Sequence, residues 1–327
     1  MRIAMAILFA SSVAYADSSI TNNAQLADPI QVESVTITPI VQTTEGKAPP
    51  EMIVLDEAMP KKLVRIHEID EGNVNSLTLD NKSDKPLFLL AGEVVIGGKQ
   101  DRIIGRNTVI PGKTTQEVPV YCVEHGRWTG DTKEFTTAKA LAHGRLRGMA
   151  SFASQQDVWN EVSSKNEKLA TKSSTDTYRK IAQQQGDKDS KIEKEAKQVD
   201  TALGKLPAET RGKVVGFAVA VNGQVATVDM FNSHALFEKM EGKLVRSYIT
   251  EAVDVKPDLK AKPPAAAQVK TFMADIDKVK EAPSYDTRAA TTTTKAAPHA
   301  AKAGVKYKKA PDAKAEDDVY QNYQSLH

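Results

Sequence analysis

Between Ile30 and Glu124 the chain alternates short runs of β-branched residues with turn-forming clusters, a pattern that only a sheet accommodates. The runs are Ile30 to Val41, Met52 to Leu55, Leu63 to Ile69, Val74 to Leu79, Pro86 to Ile96, Asp101 to Ile104 and Thr115 to Glu124. Lys47 to Pro50, Glu71-Gly72, Asn81-Lys82-Ser83-Asp84 and Pro111-Gly112 separate them. Strands of this length and spacing predict a mostly antiparallel sheet or sandwich.

From about Thr136 the period becomes helical, and Gln155 to Ala170 carries Val158, Trp159, Val162 and Leu169 near one face. Asp176 to Leu203 is more polar, with Ile181, Ile192, Val199 and Leu203 sparse along it and Gly186-Asp187 as a break, so a helical hairpin leaning on the sheet is expected. The chain then returns to β. Val214 to Val221 and Gln224 to Met230 flank Asn222-Gly223, the dipeptide best suited to a two-residue type I′ turn. A helix over Ser233 to Val253 puts Leu236, Phe237, Met240, Leu244, Tyr248, Ile249 and Ala252 on one stripe and is expected to close the core. The fold class read from these elements is α+β: sheet first, helices packed on it, then a late hairpin and a closing helix.

The ends read differently. Residues 1–16 have the form of a secretory leader, with Arg2, an apolar run from Ile3 to Ala10, and Ala14-Tyr15-Ala16 as a small-x-small cleavage site. That predicts export to a periplasmic or extracellular location. Residues 17–29 read as a polar spacer and 30–254 as a single α+β domain. Residues 255–327 turn to Lys, Pro, Ala and Thr and are expected to form a linker and disordered tail, with one short helix over Gln268 to Lys280. Within that tail, Lys306, Lys308 and Lys309 around Tyr307 are read as solvated.

No segment is apolar for the roughly 18 residues that a membrane helix needs. With 44 basic and 42 acidic residues, nothing in the overall charge favours nucleic acid as a partner. Cys122 is the only cysteine, so no intramolecular disulfide forms and the core must supply the stability.

Residues 92 to 128 hold the densest polar constellation. If Pro86 to Ile96 is one extended strand, Leu87, Leu89, Ala91, Glu93 and Val95 share a side, which sets a carboxylate among apolar neighbours. The same count on the later strand groups Val118, Val120, Cys122 and Glu124. Such carboxylates are either raised in pKa by desolvation or held ionised by a cation. Lys99, Arg102 and Arg127 are the cations nearest in sequence, and arginine grips a carboxylate or phosphate bidentately. Glu93 and Glu124 are therefore the candidate general acid or base. Lys99, Gln100, Arg102, Arg127 and Trp128 are the candidate contacts to an anionic small molecule. The competing reading of the same residues is a buried structural ion-pair network.

Cys122 reads as a core residue. His67, His125 and Glu124 have no metal-ligand spacing, so no metal is assigned and the cofactor is left open. Asp229, late in the hairpin, reads as a surface or cap residue.

The segments Leu89-Leu90-Ala91-Gly92-Glu93, Gly98-Lys99-Gln100-Asp101-Arg102, Cys122-Val123-Glu124-His125-Gly126-Arg127-Trp128, Asp157-Val158-Trp159 and Ser247-Tyr248 resemble the ADP-ribosylglycohydrolase and rhodanese-phosphatase associated protein domain. The likeness runs from about residue 30 to 253 and includes Val228-Asp229-Met230-Phe231. Asp101 stands where that family often has Asn. The resemblance implies a link to nucleotide or ADP-ribose chemistry, carried by Glu93, Lys99, Gln100, Arg102, Glu124, Arg127 and Trp128. Two functional expectations follow: a hydrolase acting on such an anionic ligand, or a non-catalytic binding or structural module of the cell envelope.

Overall fold

The computed structural model describes residues 19–44, 50–130, 132–150, 152–282, 284–287, 289–308 and 316–326. The expected leader, residues 1–16, lies outside them. In chain order the first elements are β1 (Ser19–Thr21), β2 (Ala24–Leu26), β3 (Ile30–Val32), β4 (Val35–Gln42), β5 (Ile53–Val54), α1 (Leu55–Ala58), β6 (Val64–His67), β7 (Ser76–Asn81), β8 (Leu87–Leu89), β9 (Glu93–Gly97), β10 (Arg102–Ile104), β11 (Thr108–Ile110) and β12 (Thr114–Cys122). There follow β13 (Phe135–Leu141), α2 (Gly144–Met149), α3 (Gln155–Lys168), α4 (Arg179–Gln184), α5 (Lys191–Leu203), α6 (Ala208–Arg211), β14 (Val214–Val221), β15 (Gln224–Phe231) and α7 (His234–Ala252). Last come α8 (Ala266–Asp277), β16 (Tyr285–Asp286), β17 (Ala290–Ala297), β18 (Ala300–Lys308) and β19 (Glu316–Ser325).

Among the described residues the strands form a ten-stranded sheet in the order β1-β2-β4-β14-β15-β19-β18-β17-β16, with β3 added on β4. A six-stranded sheet runs β13-β9-β10-β12-β7-β6, and a three-stranded sheet β11-β8-β5 contains the parallel pair β5 and β8. The fold is α+β with largely antiparallel sheets.

The hairpin β14–β15 sits at the centre of the large sheet. Val221 pairs with Gln224 across Asn222 (φ 46°) and Gly223 (φ 79°), the double positive φ of a type I′ turn. Almost all of β14 is buried because both of its faces are covered. On one side Phe217 and Val219 meet Leu236, Phe237, Met240, Leu244 and Tyr248 of α7, with Val199 of α5 behind them. On the other, Val215 and Ala218 meet Val269, Met273 and Ile276 of α8. Each apolar side chain so buried contributes roughly 1.5–3 kcal/mol. Helix α7 starts where its sequence dictates, since Ser233 accepts the Leu236 N–H as N-cap.

The six-stranded sheet buries one face along its length and the other around β9, β10 and the end of β12. Leu77, Leu79, Val95, Ile104 and Val118 fill one, and Val94, Ile103 and Val123 pack the other against α2, α3 and α4. Helix α3 is capped reciprocally by Ser154 and Asp157, and the break at Gly186-Asp187 separates α4 from α5 as the sequence implies.

Four expectations are corrected. Ile30 to Val41 is not one strand but a hairpin, turned at Glu33 (φ 52°), so that Val32 pairs with Val35. Pro86 to Ile96 is broken between β8 and β9 at Gly92 (φ 91°), where a Cβ would lie 2.5 Å from Arg147 Cγ. The stretch from Thr136, expected to be helical, begins as strand β13, whose pairing with β9 overrides the weak local preference of Thr, Ala and Lys. The polar spacer contributes β1 and β2, anchored by buried Ile20, Ala24 and Leu26.

The expected tail also differs where it is described. Helix α8 matches the short helix read there, but β17, β18 and β19 continue the large sheet, with β19 between β15 and β18. Composition misleads here because the ladder supplies the ordering. Backbone pairing runs the length of these strands, and of the few bulky residues Val305, Val319, Tyr320 and Tyr323 are buried and Tyr307 is partly buried. Lys308, read as solvated, pairs with Asp286 and Glu316, while residues 309–315 and 327 lie outside the described residues.

Deleting residues 316–327 is therefore expected to cost at least about 5 kcal/mol through lost apolar burial and lost hydrogen bonds to a buried carboxylate. Urea unfolding of the truncated chain checks this; an unchanged midpoint would mean that the segment is a dispensable tail.

Candidate functional site

The loop between β9 and β10 and the segment after β12 come together because β10 pairs with both strands, setting Arg102 opposite Val95 and Cys122. Gly98 makes the approach feasible: its φ is +50°, and a Cβ there would lie 2.3 Å from the Phe135 ring. Arg127 is the clasp. Its Nε and Nη2 donate to Glu124 Oε2 at 2.9 and 2.7 Å, and its Nη1 donates to the carbonyls of Gly98 and Thr129, both at 2.8 Å. Gln100 Nε2 donates to the Glu124 carbonyl at 2.7 Å, and the Asp101 N–H reaches Glu124 Oε2 at 3.1 Å. Burial pushes the Glu124 carboxyl up, but the hydrogen bonds from Arg127 and the Asp101 N–H outweigh it and hold the group below the usual carboxylate range.

Asp101, fully buried, is the second anion of the cluster. Arg179 grips it bidentately, Nε to Oδ2 at 2.8 Å and Nη2 to Oδ1 at 2.6 Å, and Thr177 Oγ1 donates at 3.0 Å. Arg179 and Thr177 were not singled out in the sequence, and nothing local marks them, since they lie more than seventy positions along the chain from Asp101.

Arg102 is different. It is 0 % exposed, its Nη1 has only long contacts to Gln100 Oε1 (3.4 Å) and the Asp101 carbonyl (3.5 Å), and its Nε and Nη2 have no hydrogen-bond partner. Glu68 Oε1 is 4.0 Å from Nη2, and Glu68 Oε2 is also unpartnered. Burial is the largest influence on the guanidinium and lowers its pKa from the ordinary value. Above it lies Trp128, 44 % exposed, with the Arg102 Cζ 5.9 Å and the Lys99 Nζ 5.4 Å from its ring centroid.

Glu93 does not join this group. Because β8 and β9 are separated at Gly92, its carboxylate turns to α7, where Lys243 Nζ donates to Oε1 at 2.6 Å while the Leu90 N–H donates to Oε2 at 2.8 Å. Lys243 also pairs with Asp56 at 2.7 Å. Burial drives the Glu93 carboxyl above its ordinary value, and Lys243 pulls it back. The sequence does carry a signal for Lys243, a cation three residues beyond Met240 and seven beyond Leu236 on the apolar stripe.

The other sequence candidates resolve plainly. Cys122 is buried, and its thiol is pushed up to about 11 by desolvation, which removes thiolate character at neutral pH. His67 lies against Asp80 and the Glu68 carbonyl, and His125 packs edge-on to Trp159 with centroids 4.4 Å apart. No group of three or more His, Cys, Asp or Glu able to hold a metal occurs among the described residues. Asp229, read as a surface or cap residue, is fully buried instead, bound by Arg147, Tyr248, Tyr320 and Asn322.

Two outcomes are expected from this geometry. Arg127→Ala strands Glu124 and frees the loop carbonyls, so it should destabilise the protein by about 3–5 kcal/mol in chemical denaturation, with Arg127→Lys in between. The depressed pKa of Glu124 stabilises the fold above the unfolded carboxyl value of 4.5, and that contribution is lost as pH falls through the lower folded value. Glu124→Gln should therefore flatten the acid limb of a stability–pH curve; a limb as steep as the native one would contradict this.

A search of curated proteins and a search of solved structures found no match. The family described as the ARG and Rhodanese-Phosphatase-superfamily-associated Protein domain matches over residues 23–315, a span that holds every residue of the Arg127 cluster and also Glu93 and Lys243. The chain belongs to the ARG and Rhodanese-Phosphatase-superfamily-associated Protein domain family.

Proposed function

We propose that this protein is a non-catalytic binding module that holds an anionic small molecule with a planar part at the surface formed by Lys99, Arg127 and Trp128, above the buried Arg102. One observation carries the reading: a half-exposed indole stands over a fully buried guanidinium whose Nε and Nη2 have no partner, with a lysine ammonium beside the same ring. A buried donor left unpaired costs about 1–3 kcal/mol, and more when charged, so its retention favours a ligand or an ordered water that completes it. The indole offers a stacking platform for a base or other planar group, and the cations suit phosphate or carboxylate. Gln100 and Arg127 act as supports, fixing the loop that carries Lys99. The leader-like residues 1–16 support export, so the ligand would be met in the periplasm or outside the cell.

Catalysis by Glu124 fits poorly, because a carboxylate held ionised by Arg127 is a weak general base and carries no proton to give. A hydrolase reading keeps one specific support. Glu93 has the raised carboxyl that a general acid requires, close to Lys243. The two readings separate in one experiment, titration of adenosine diphosphate and ADP-ribose against the purified protein by calorimetry, with product analysis of the same mixtures. The binding reading expects saturable heat without turnover and an affinity about tenfold weaker in Trp128→Ala. Turnover that vanishes in Glu93→Gln while affinity survives would replace it with the hydrolase.

A further inference from the structure

The six-stranded sheet is curled until its edge strands meet, but they meet at one end only. His67 and Glu134 form an antiparallel bridge, and the Glu68 N–H donates to the Lys133 carbonyl at 2.8 Å, joining β6 to the start of β13. Past the bridge the seam opens. The Leu63 carbonyl is taken by the Lys82 N–H on the β7 side, so by antiparallel alternation the backbone groups of Val64 turn toward the gap. On the facing strand the Glu134 carbonyl is taken by Gly98, which turns those of Thr137 the same way.

The gap is a groove of about 720 Å³, within the size range of small-molecule sites. Its apolar wall is Met59, Pro60, Val64 and Phe135, and its cations are Lys62, Arg65, Lys82 and Lys139. Glu134 is the only carboxylate in the lining, so four positive groups less one negative leave +3. Arg65 pairs with Glu134 at 2.7 Å. The ammonium groups of Lys62, Lys82 and Lys139 have no ion-pair or hydrogen-bond partner among the described residues.

Nearby acids do not relieve this charge. Asp56 is bound to Lys243 at 2.7 Å, Glu57 to Lys239 at 2.8 Å and Asp84 to Lys113 at 3.4 Å. Two of the unpaired lysines are also held at a cost. Lys62 has φ 57° and Lys139 φ 53°, a left-handed conformation that disfavours residues with a Cβ by roughly 1–2 kcal/mol. Both sit on the rim of the groove, and the Thr137 hydroxyl between the walls is fixed by its bond to Asp56 at 2.6 Å.

We propose that this open seam binds an organic anion of metabolite size with an apolar body, its charge met by Lys62, Lys82 and Lys139 and its body resting on Met59, Pro60 and Phe135. An extended peptide is the weaker fit, because Val64 and Thr137 offer open backbone at only one position on each side, too short for strand addition. The site is separate from the Trp128 surface and does not depend on it.

Fluorescence titration with 8-anilinonaphthalene-1-sulfonate, an apolar organic anion, tests the assignment on the intact protein. Saturable binding is expected, displaced by octanoate but not by inorganic phosphate. Lys82→Glu and Lys139→Asn, the latter keeping a residue that tolerates positive φ, should each weaken the probe about fivefold, equivalent to about 1 kcal/mol. Trp128→Ala should leave the octanoate-displaceable component of the binding unchanged. Near-ultraviolet circular dichroism of each variant confirms that packing is intact, so a lost signal reports the site and not unfolding. Unaltered affinity in both lysine variants, loss of the octanoate-displaceable component in Trp128→Ala, or displacement by tetraglutamate as strong as by octanoate would each overturn the proposal.

Discussion

The carboxylate of Asp229 is the point on which the rest of the molecule is assembled. It projects from β15, in the middle of the large sheet, and is wholly buried. Arg147 of α2 grips it, with Nη2 to Oδ1 at 2.8 Å, and Tyr248 of α7 donates to Oδ2 at 2.6 Å. Tyr320 and Asn322, both from β19, complete its shell. Burial by itself would lower the pKa of the Arg147 guanidinium, yet the Asp229 charge raises it, so the guanidinium stays charged. Burial and the same charge push the Tyr248 and Tyr320 hydroxyls well above their ordinary values, which keeps them as donors. An ion pair of this kind adds little net stability over an apolar core, but breaking it is costly, and its geometry fixes how sheet, helices and C-terminal strand are placed.

That placement explains why the most acidic-looking candidates are tied up. The arginine at Arg147 fills the space beside Gly92, and the backbone reverses there with φ 91°, which turns Glu93 toward Lys243 and away from Arg127. Glu124 is committed to Arg127, and Asp101 to Arg179. Around these pairs, two nitrogens of Arg102 beneath Trp128 and Oε2 of Glu68 keep no hydrogen-bond partner, and the lysines along the β6–β13 seam have no ion pair among the described residues.

Local structure was legible to the extent that it is set by neighbours in sequence. Asn222-Gly223 gave its hairpin because only residues tolerant of positive φ fit that turn, and α7 buried the stripe that its period marks. Gln100, Arg102, Glu124 and Arg127 do cluster, as their motif positions suggest. One continuous strand through Gly92 does not form, since the left-handed residue sends β8 and β9 into different sheets, although Leu87, Leu89 and Val95 still share one core cluster. Strands β17 to β19 leave little mark in the sequence because Ala, Thr and Lys carry little burial signal, and their order comes from ladders with distant partners.

The sequence alone determined the class of fold, the hairpin, the capped helices and the residues of one polar cluster, because sterics, periodicity and capping act over a few neighbouring positions. Only the tertiary structure decided which charges are spent and which are free. Lys243 meets Glu93 across 150 positions, Tyr320 meets Asp229 across 91 and Arg179 meets Asp101 across 78. Ion pairing depends on distance and dielectric, which no local pattern of residue types encodes until the chain has packed.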